Sequence, residues 1–195
     1  MTLRNIEIKA RIPEMYHHRD PRLGQFQRMV IQQDIYVKTA DPELRDKLRT
    51  ERTVPVAEPG KMIDDDGSDE KAVAMRIRYR RPTVAGARMS EYGIVRYDGR
   101  SPDEVVKAFL EECGQPIAII NKARRIFIRE HTRVHLDVVT KMGATEPIVI
   151  GNFIELETVL SDGLDAAAGS EEAERIAADL NISTGSRIAG SYADM

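Results

Sequence analysis

The sequence contains few of the features that mark secreted, membrane-spanning or nucleic-acid-binding proteins. It has a single cysteine, Cys113, which cannot form a disulfide within the chain. No apolar run approaches the roughly 18 residues that span a bilayer, and the first residues lack the apolar core of a signal peptide. The 32 acidic and 29 basic residues nearly cancel, so no general footprint for nucleic acid is expected. We therefore expect a cytoplasmic protein that binds neither nucleic acid nor a membrane.

The chain is rich in charged side chains and long enough for a sizeable core. Of its 195 residues, 42% are hydrophobic and 31% are charged. A chain of this length can bury one hydrophobic core but is short for two. We therefore expect one domain over residues 1–195.

A charged strand is predicted near the start of the chain. Residues 5–11 read NIEIKAR, in which polar and apolar side chains strictly alternate. This alternation predicts a β-strand, because successive side chains of a strand point to opposite faces. One face carries Ile6, Ile8 and Ala10, and the other carries Asn5, Glu7, Lys9 and Arg11. A single such strand ordinarily turns its charged face to solvent.

The same alternation recurs in five further segments, which favours a different interpretation. Their charged rows are Lys47 and Arg49; Arg76, Arg78 and Arg80; Lys122 and Arg124; Arg133, His135 and Asp137; and Glu155 and Glu157. Strands that closed into a barrel with these rows inside would offer basic groups for phosphate oxygens and carboxylates for a hard divalent cation. Both signs together suggest a metal-bound polyphosphate.

Other segments predict helices and loops. The segment SPDEVVKAFLEECG predicts a helix that is capped by Ser101 and ends before Gly114, and a final helix is expected from Ser170. These two helices are expected to cover the apolar outer face of the strands. Residues 14–30 are weakly helical in pattern, and residues 43–52 fit either a strand or a short helix. Two further predictions are a loop at 54–71 and an insertion at 144–151.

Seven short motifs, taken in order, resemble one protein family. They are NIEIK, QQDIY, YRRPTVAGARMSEY, INKARRIFI, TRVHLDVV, GNFIELETVL and the terminal GSYADM. The set resembles the CYTH-domain proteins of the triphosphate tunnel metalloenzyme superfamily, and most closely their class IV adenylate cyclase-like branch. This resemblance implies an α+β fold, with an eight-stranded antiparallel closed β-barrel and flanking helices. Charged residues would point into the tunnel.

The resemblance and the charged rows together name candidate site residues. Catalytic roles are expected for Lys9, Lys122 and Arg124. Substrate phosphates are expected to contact Lys47, Arg49, Arg76, Arg78, Arg88 and Arg133. Candidate ligands for Mg²⁺ or Mn²⁺ are Glu7, Asp137, Glu155 and Glu157.

The function implied is a metal-dependent reaction on a triphosphate substrate. Resemblance to the cyclase-like branch favours conversion of ATP to cyclic AMP and pyrophosphate. Hydrolysis of tripolyphosphate or thiamine triphosphate is an alternative that the same residues would serve. Asn5 stands where the family has its first glutamate, and this departure favours a third alternative, a polyphosphate- or nucleotide-binding protein without catalysis. The resemblance also implies a homodimer.

Overall fold

Eight strands and two α-helices make up the regular structure of the described residues. The computed structural model describes residues 3–17, 19–41, 43–54, 72–80, 86–161 and 163–195. The strands are β1 (Leu3–Ile12), β2 (Gln25–Val37), β3 (Leu44–Val54), β4 (Val73–Arg80), β5 (Arg88–Arg96), β6 (Ala118–Arg129), β7 (Thr132–Met142) and β8 (Pro147–Val159). The helices are α1 (Pro102–Cys113) and α2 (Ala166–Asp179), and single 3₁₀ turns cover Pro21–Leu23, Thr184–Ser186 and Tyr192–Asp194.

The strands form one closed antiparallel barrel. Their order around it is β1-β5-β4-β3-β2-β6-β7-β8, and β1 closes the ring by pairing with both β5 and β8. Closure leaves no unpaired sheet edge and divides side chains into an inner and an outer set. The predicted fold class, an eight-stranded antiparallel barrel with flanking helices, is confirmed.

The two helices cover separate parts of the outer face. Ile176 and Ala177 of α2 join a buried cluster with Ile8 of β1, Leu136 of β7 and Leu156 of β8. A second buried cluster joins the α1 residues Val105 and Phe109 to Ile35, Val37, Leu48 and Ala74. The apolar residues between the charged ones thus lie under the helices, as predicted.

Sequence signals placed α1 better than α2. The side chain of Ser101 caps α1 in a capping box with Glu104, and Gly114 follows the helix with a φ of 83°. By contrast α2 begins at Ala166, where the Asp165 side chain accepts a hydrogen bond from the Ala168 amide. The predicted start at Ser170 was therefore wrong, because the cap one turn earlier begins the helix.

Three other segments differ from their predictions. The described part of residues 14–24 contains one 3₁₀ turn and no α-helix, and strand β2 already begins at Gln25. Residues 44–54 form strand β3, which decides between the strand and the helix expected for 43–52. The insertion expected at 144–151 extends the β7–β8 hairpin, whose strands run to Met142 and from Pro147. Of the predicted 54–71 loop, residues 55–71 lie outside the described residues.

The last residues of the chain cover one end of the barrel. Tyr192 packs with Phe153 and with other buried residues of β2, β6 and β7. Lys141 donates hydrogen bonds to the carbonyls of Ala193 and Met195, at 3.2 and 2.6 Å. We call this the closed end. At the other end, Ile94, Arg96 and Arg133 are exposed. Neither helix of the described part of the chain has the length and apolarity needed to cross a bilayer.

Candidate active site

The charged row of β1 faces the barrel interior. Asn5, Glu7 and Lys9 are all buried, with exposed fractions of 4, 7 and 4%. Across the β1–β8 pair, Glu7 is opposite Glu157 and Lys9 is opposite Glu155. The Lys9 ammonium lies 2.7 Å from a Glu155 oxygen and 4.2 Å from the centre of the Tyr192 ring. The first charged strand therefore faces other charged strands and not solvent.

Asp34 is the centre of the largest group of interior cations. Its carboxylate accepts hydrogen bonds from Lys47 and Lys122, both at 2.9 Å, and from Arg49 at 2.7 and 2.9 Å. These residues come from β2, β3 and β6, and cross-strand pairing brings Arg49 directly opposite Asp34. One carboxylate thus holds three phosphate-binding candidates in fixed positions.

A second buried network centres on Arg124. Its guanidinium forms a two-point contact with Asp137 at 2.7 and 2.6 Å and also donates to Glu155. The Tyr192 hydroxyl donates to Asp137 at 3.0 Å. Both Asp137 oxygens therefore accept hydrogen bonds from Arg124 or Tyr192, and Asp137 orients the Arg124 guanidinium.

Burial and neighbouring cations shift several pKa values in this interior. Burial, reinforced by the charge of Arg49, lowers the pKa of Lys122 to about 8. Burial and Arg49 also hold the pKa of Lys47 well below its usual range. Burial alone would raise the pKa of Asp34, but Arg49, Lys122 and Lys47 outweigh it and hold it well below its usual range. Such shifts are frequent at catalytic sites.

Two carboxylates and an imidazole form the best candidate metal centre. One ligand atom from each of His135, Glu155 and Glu157 lies within 4.8 Å of the others. Burial would raise the pKa of Glu155, but the charges of Lys9 and Arg124 hold it well below its usual range. Glu155 is therefore ionised at neutral pH, as a metal ligand must be. The donor set fits a divalent cation.

Glu7 and Asn5 border this centre along β1. Glu7 lies 3.2 Å from the guanidinium of Arg88 and 3.7 Å from the Lys9 ammonium. The side-chain oxygen of Asn5 is buried and accepts no hydrogen bond from the described residues. Asn5 therefore keeps an oxygen donor towards the interior, without the charge of a glutamate.

Comparison with known proteins gives a family for this arrangement. The family model of the CYTH domain matches residues 57–192, which is more than half of the chain. The chain belongs to the CYTH family. A search of curated proteins found no match.

Solved structures share the fold of this CYTH chain at low sequence identity. The PH1819 protein of Pyrococcus horikoshii OT3 is 17% identical with a TM-score of 0.68, over 96% of this chain and 95% of that one. A conserved hypothetical protein of Pyrococcus furiosus is 18% identical with a TM-score of 0.65, over 97% of this chain and 98% of that one. The PH1012 protein of Pyrococcus horikoshii OT3 is 14% identical with a TM-score of 0.64, over 97% and 98%. Likeness at this level shows a common fold.

The CYTH barrel brings most of the predicted site residues together. Those inside it and buried are Glu7, Lys9, Lys47, Arg88, Lys122, Arg124, Asp137 and Glu155. Arg49 and Glu157 are partly buried and face the same interior, since they lie opposite Asp34 and Glu7. Arg133 lies opposite Glu157 but is exposed, at the end of the barrel that the last residues do not cover.

Arg76 and Arg78 were expected inside the CYTH barrel and lie outside it. Arg76 is opposite Leu48, which packs under α1, and it donates hydrogen bonds to Asp46 and to Glu112 of α1. Arg78 donates to the same Asp46 at 3.0 Å. Arg76 and Arg78 lie on the outer face of β4. The prediction that they share one face was correct, but the prediction that this face points into the barrel was wrong.

The inner face of β4 and the adjoining residues of β5 carry apolar and aromatic side chains. Met75 and Ile77 face inward, because they lie opposite Arg49 and Lys47. The cross-strand pairs Ile77 with Ile94 and Tyr79 with Tyr92 continue the same surface onto β5. We call these five residues the apolar strip. The charged interior of this CYTH barrel is therefore one-sided, which the rows of charge did not predict.

Proposed function

We propose that the chain is a metal-dependent enzyme that acts on a triphosphate substrate inside the barrel. The observation that carries this proposal is the convergence of Lys9, Lys47, Arg49, Lys122 and Arg124 in one interior that also holds the Glu155–Glu157–His135 group. Ammonium and guanidinium groups bind phosphate oxygens and stabilise the charge that develops during phosphoryl transfer.

Mg²⁺ or Mn²⁺ held by Glu155 and Glu157 would neutralise phosphate charge and polarise the reacting phosphorus when bound. The chain's own residues do the rest. Lys122, Arg49 and Arg124 hold phosphate oxygens, and Asp34 and Asp137 fix those cations in place. Burial lowers the pKa of Lys47, which makes its amine a better acceptor than an exposed lysine for the proton of an attacking hydroxyl.

As the reaction we propose cyclisation of ATP to cyclic AMP and pyrophosphate. In that reaction the ribose 3′-oxygen bonds to the α-phosphorus, the bond to the pyrophosphate oxygen breaks, and the hydroxyl proton passes to Lys47. The apolar strip supports a substrate with an organic group. Met75, Ile77 and Ile94 cannot hydrogen-bond to phosphate, but they can contact an apolar part of the substrate.

Hydrolysis of tripolyphosphate or thiamine triphosphate is the second candidate. It is favoured by the tight filling of the closed end, where Tyr36, Phe153 and Tyr192 are buried. Tripolyphosphate has no organic group that would need space there. The same cations would serve attack by water.

One experiment separates these reactions. The purified chain is incubated with ATP, thiamine triphosphate and tripolyphosphate under Mg²⁺ or Mn²⁺, and cyclic AMP, pyrophosphate and phosphate are resolved. Cyclic AMP and pyrophosphate in equal amounts from ATP support the cyclase, whereas phosphate release supports the hydrolase. Triphosphate binding without any product would identify the binding-protein alternative. If no triphosphate binds, the proposal fails.

A further inference from the structure

The Nδ1 atom of His135 lies beside two interior carboxylates, beyond ordinary hydrogen-bond distance of either. It is on β7, directly opposite Glu155 of β8 and facing the same interior as Glu157. Its Nδ1 is 3.9 Å from Oε2 of Glu155 and 3.9 Å from Oε1 of Glu157. These separations exceed the length of an N–H···O hydrogen bond.

The Nδ1 atom is buried without a partner. His135 is only 4% exposed, and its Nδ1 has no hydrogen-bond partner among the described residues. A buried polar atom in this state costs about 1–3 kcal/mol, so native proteins rarely keep one without a reason. Two atoms that each bind one cation at about 2.1 Å stand roughly 3 to 4 Å apart. The 3.9 Å separations of Nδ1 from the two glutamate oxygens lie in this range and suit a shared ion.

We propose that Nδ1 of His135 is a nitrogen ligand of the cation held by Glu155 and Glu157. This inference rests on the metal dependence in the proposed function, and it changes the ligand set, which the sequence had limited to carboxylates. Mg²⁺ takes oxygen ligands, whereas imidazole nitrogen suits transition metals. The centre should therefore prefer Mn²⁺ to Mg²⁺.

The competing arrangement is a protonated His135 that pairs with both glutamates. An imidazolium ion has no free lone pair, so in that arrangement no histidine nitrogen can coordinate the ion. Direct detection of a metal–nitrogen bond therefore separates the two arrangements, and it does not depend on catalytic activity.

The test is pulsed electron paramagnetic resonance of the Mn²⁺-loaded chain, which detects nitrogen nuclei bonded to the ion. Coupling to ¹⁴N is expected, and it should change to ¹⁵N coupling when histidine alone is labelled. His135→Gln should remove the coupling and weaken Mn²⁺ binding about tenfold or more, with a smaller effect on Mg²⁺. The matched control His131→Gln should keep the coupling, because His131 is 58% exposed and contacts Glu172 on α2.

A second variant keeps the test valid if His135→Gln does not fold. The chain has four histidines, so replacing His17, His18 and His131 by glutamine leaves His135 alone. The nitrogen coupling should persist in this triple variant. Bound Mn²⁺ without nitrogen coupling would overturn the His135 assignment and leave the proposed function standing. If no Mn²⁺ binds and triphosphate turnover needs no metal, both the His135 assignment and the proposed metal-dependent function are wrong.

Discussion

The hydroxyl of Tyr192 donates a hydrogen bond of 3.0 Å to Asp137, and this bond joins the last turn of the chain to the charged interior. Asp137 in turn holds Arg124 by two hydrogen bonds. The C-terminal residues are therefore linked to a proposed phosphate-binding cation through a single carboxylate.

This link predicts an energetic coupling between the two residues. Tyr192→Phe should lower the free energy of unfolding by about 1 kcal/mol, since it removes one buried hydrogen bond and keeps the ring. In an Asp137→Asn background the same change should cost measurably less, because the charged acceptor is already lost. Denaturant unfolding of the two single variants and the double variant measures the coupling. Strictly additive effects would contradict it.

Asp34 should matter to stability through the cations around it. Asp34→Asn leaves two buried lysines, Lys47 and Lys122, and the partly buried Arg49 without their carboxylate, which should cost about 3 kcal/mol or more of unfolding free energy. Tripolyphosphate should then raise the melting temperature of the variant more than that of the parent, because it restores the missing negative charge. Asp179→Asn is the control, since Asp179 lies on the outer surface and pairs with Arg129. Equal thermal shifts in Asp34→Asn and parent would count against this role.

The affinity for tripolyphosphate should depend on pH through Lys122. Its pKa of about 8 means that the side chain is charged below pH 8 and neutral above it. Metal-free affinity should therefore fall as pH rises through about 8, by up to roughly tenfold per pH unit for one proton. In Lys122→Arg the fall should be shallower, because arginine stays charged. Titration calorimetry from pH 6.5 to 9.5 measures both profiles, and identical slopes would show that another group is responsible.

Matched substitutions inside and outside the barrel test which arginines bind substrate. Arg124→Ala should lower the rate with a triphosphate about 100-fold or more, as loss of a donor to a reacting phosphoryl group does. Arg76→Ala should leave turnover close to the parent value and lower the melting temperature, because Arg76 joins β4 to α1. Lys107→Ala on α1 provides the baseline. A loss of turnover in Arg76→Ala as large as in Arg124→Ala would reject the separation of inner and outer arginines.

Much of the barrel could be predicted from sequence because alternation and cap residues are local signals. Alternation predicted which residues of a strand share a face, as in NIEIKAR. It could not distinguish the inner face of β4 from its outer face, since both carry large side chains. Whether Arg76 faces inward depends on its pairing with Leu48 under α1, which is a long-range relationship. The role of Asp34 in QQDIY could not be predicted from sequence, because its three partners come from two other strands.

Among the described residues, the last turn of the chain closes one end of the barrel interior. Tyr192 and its buried neighbours fill that end, whereas Ile94, Arg96 and Arg133 are exposed at the other, so under the proposed function substrate and products would pass through the same side. A long polyphosphate could enter only by a terminus and could not be threaded past the site. Any action on such a polymer would be confined to its terminal units.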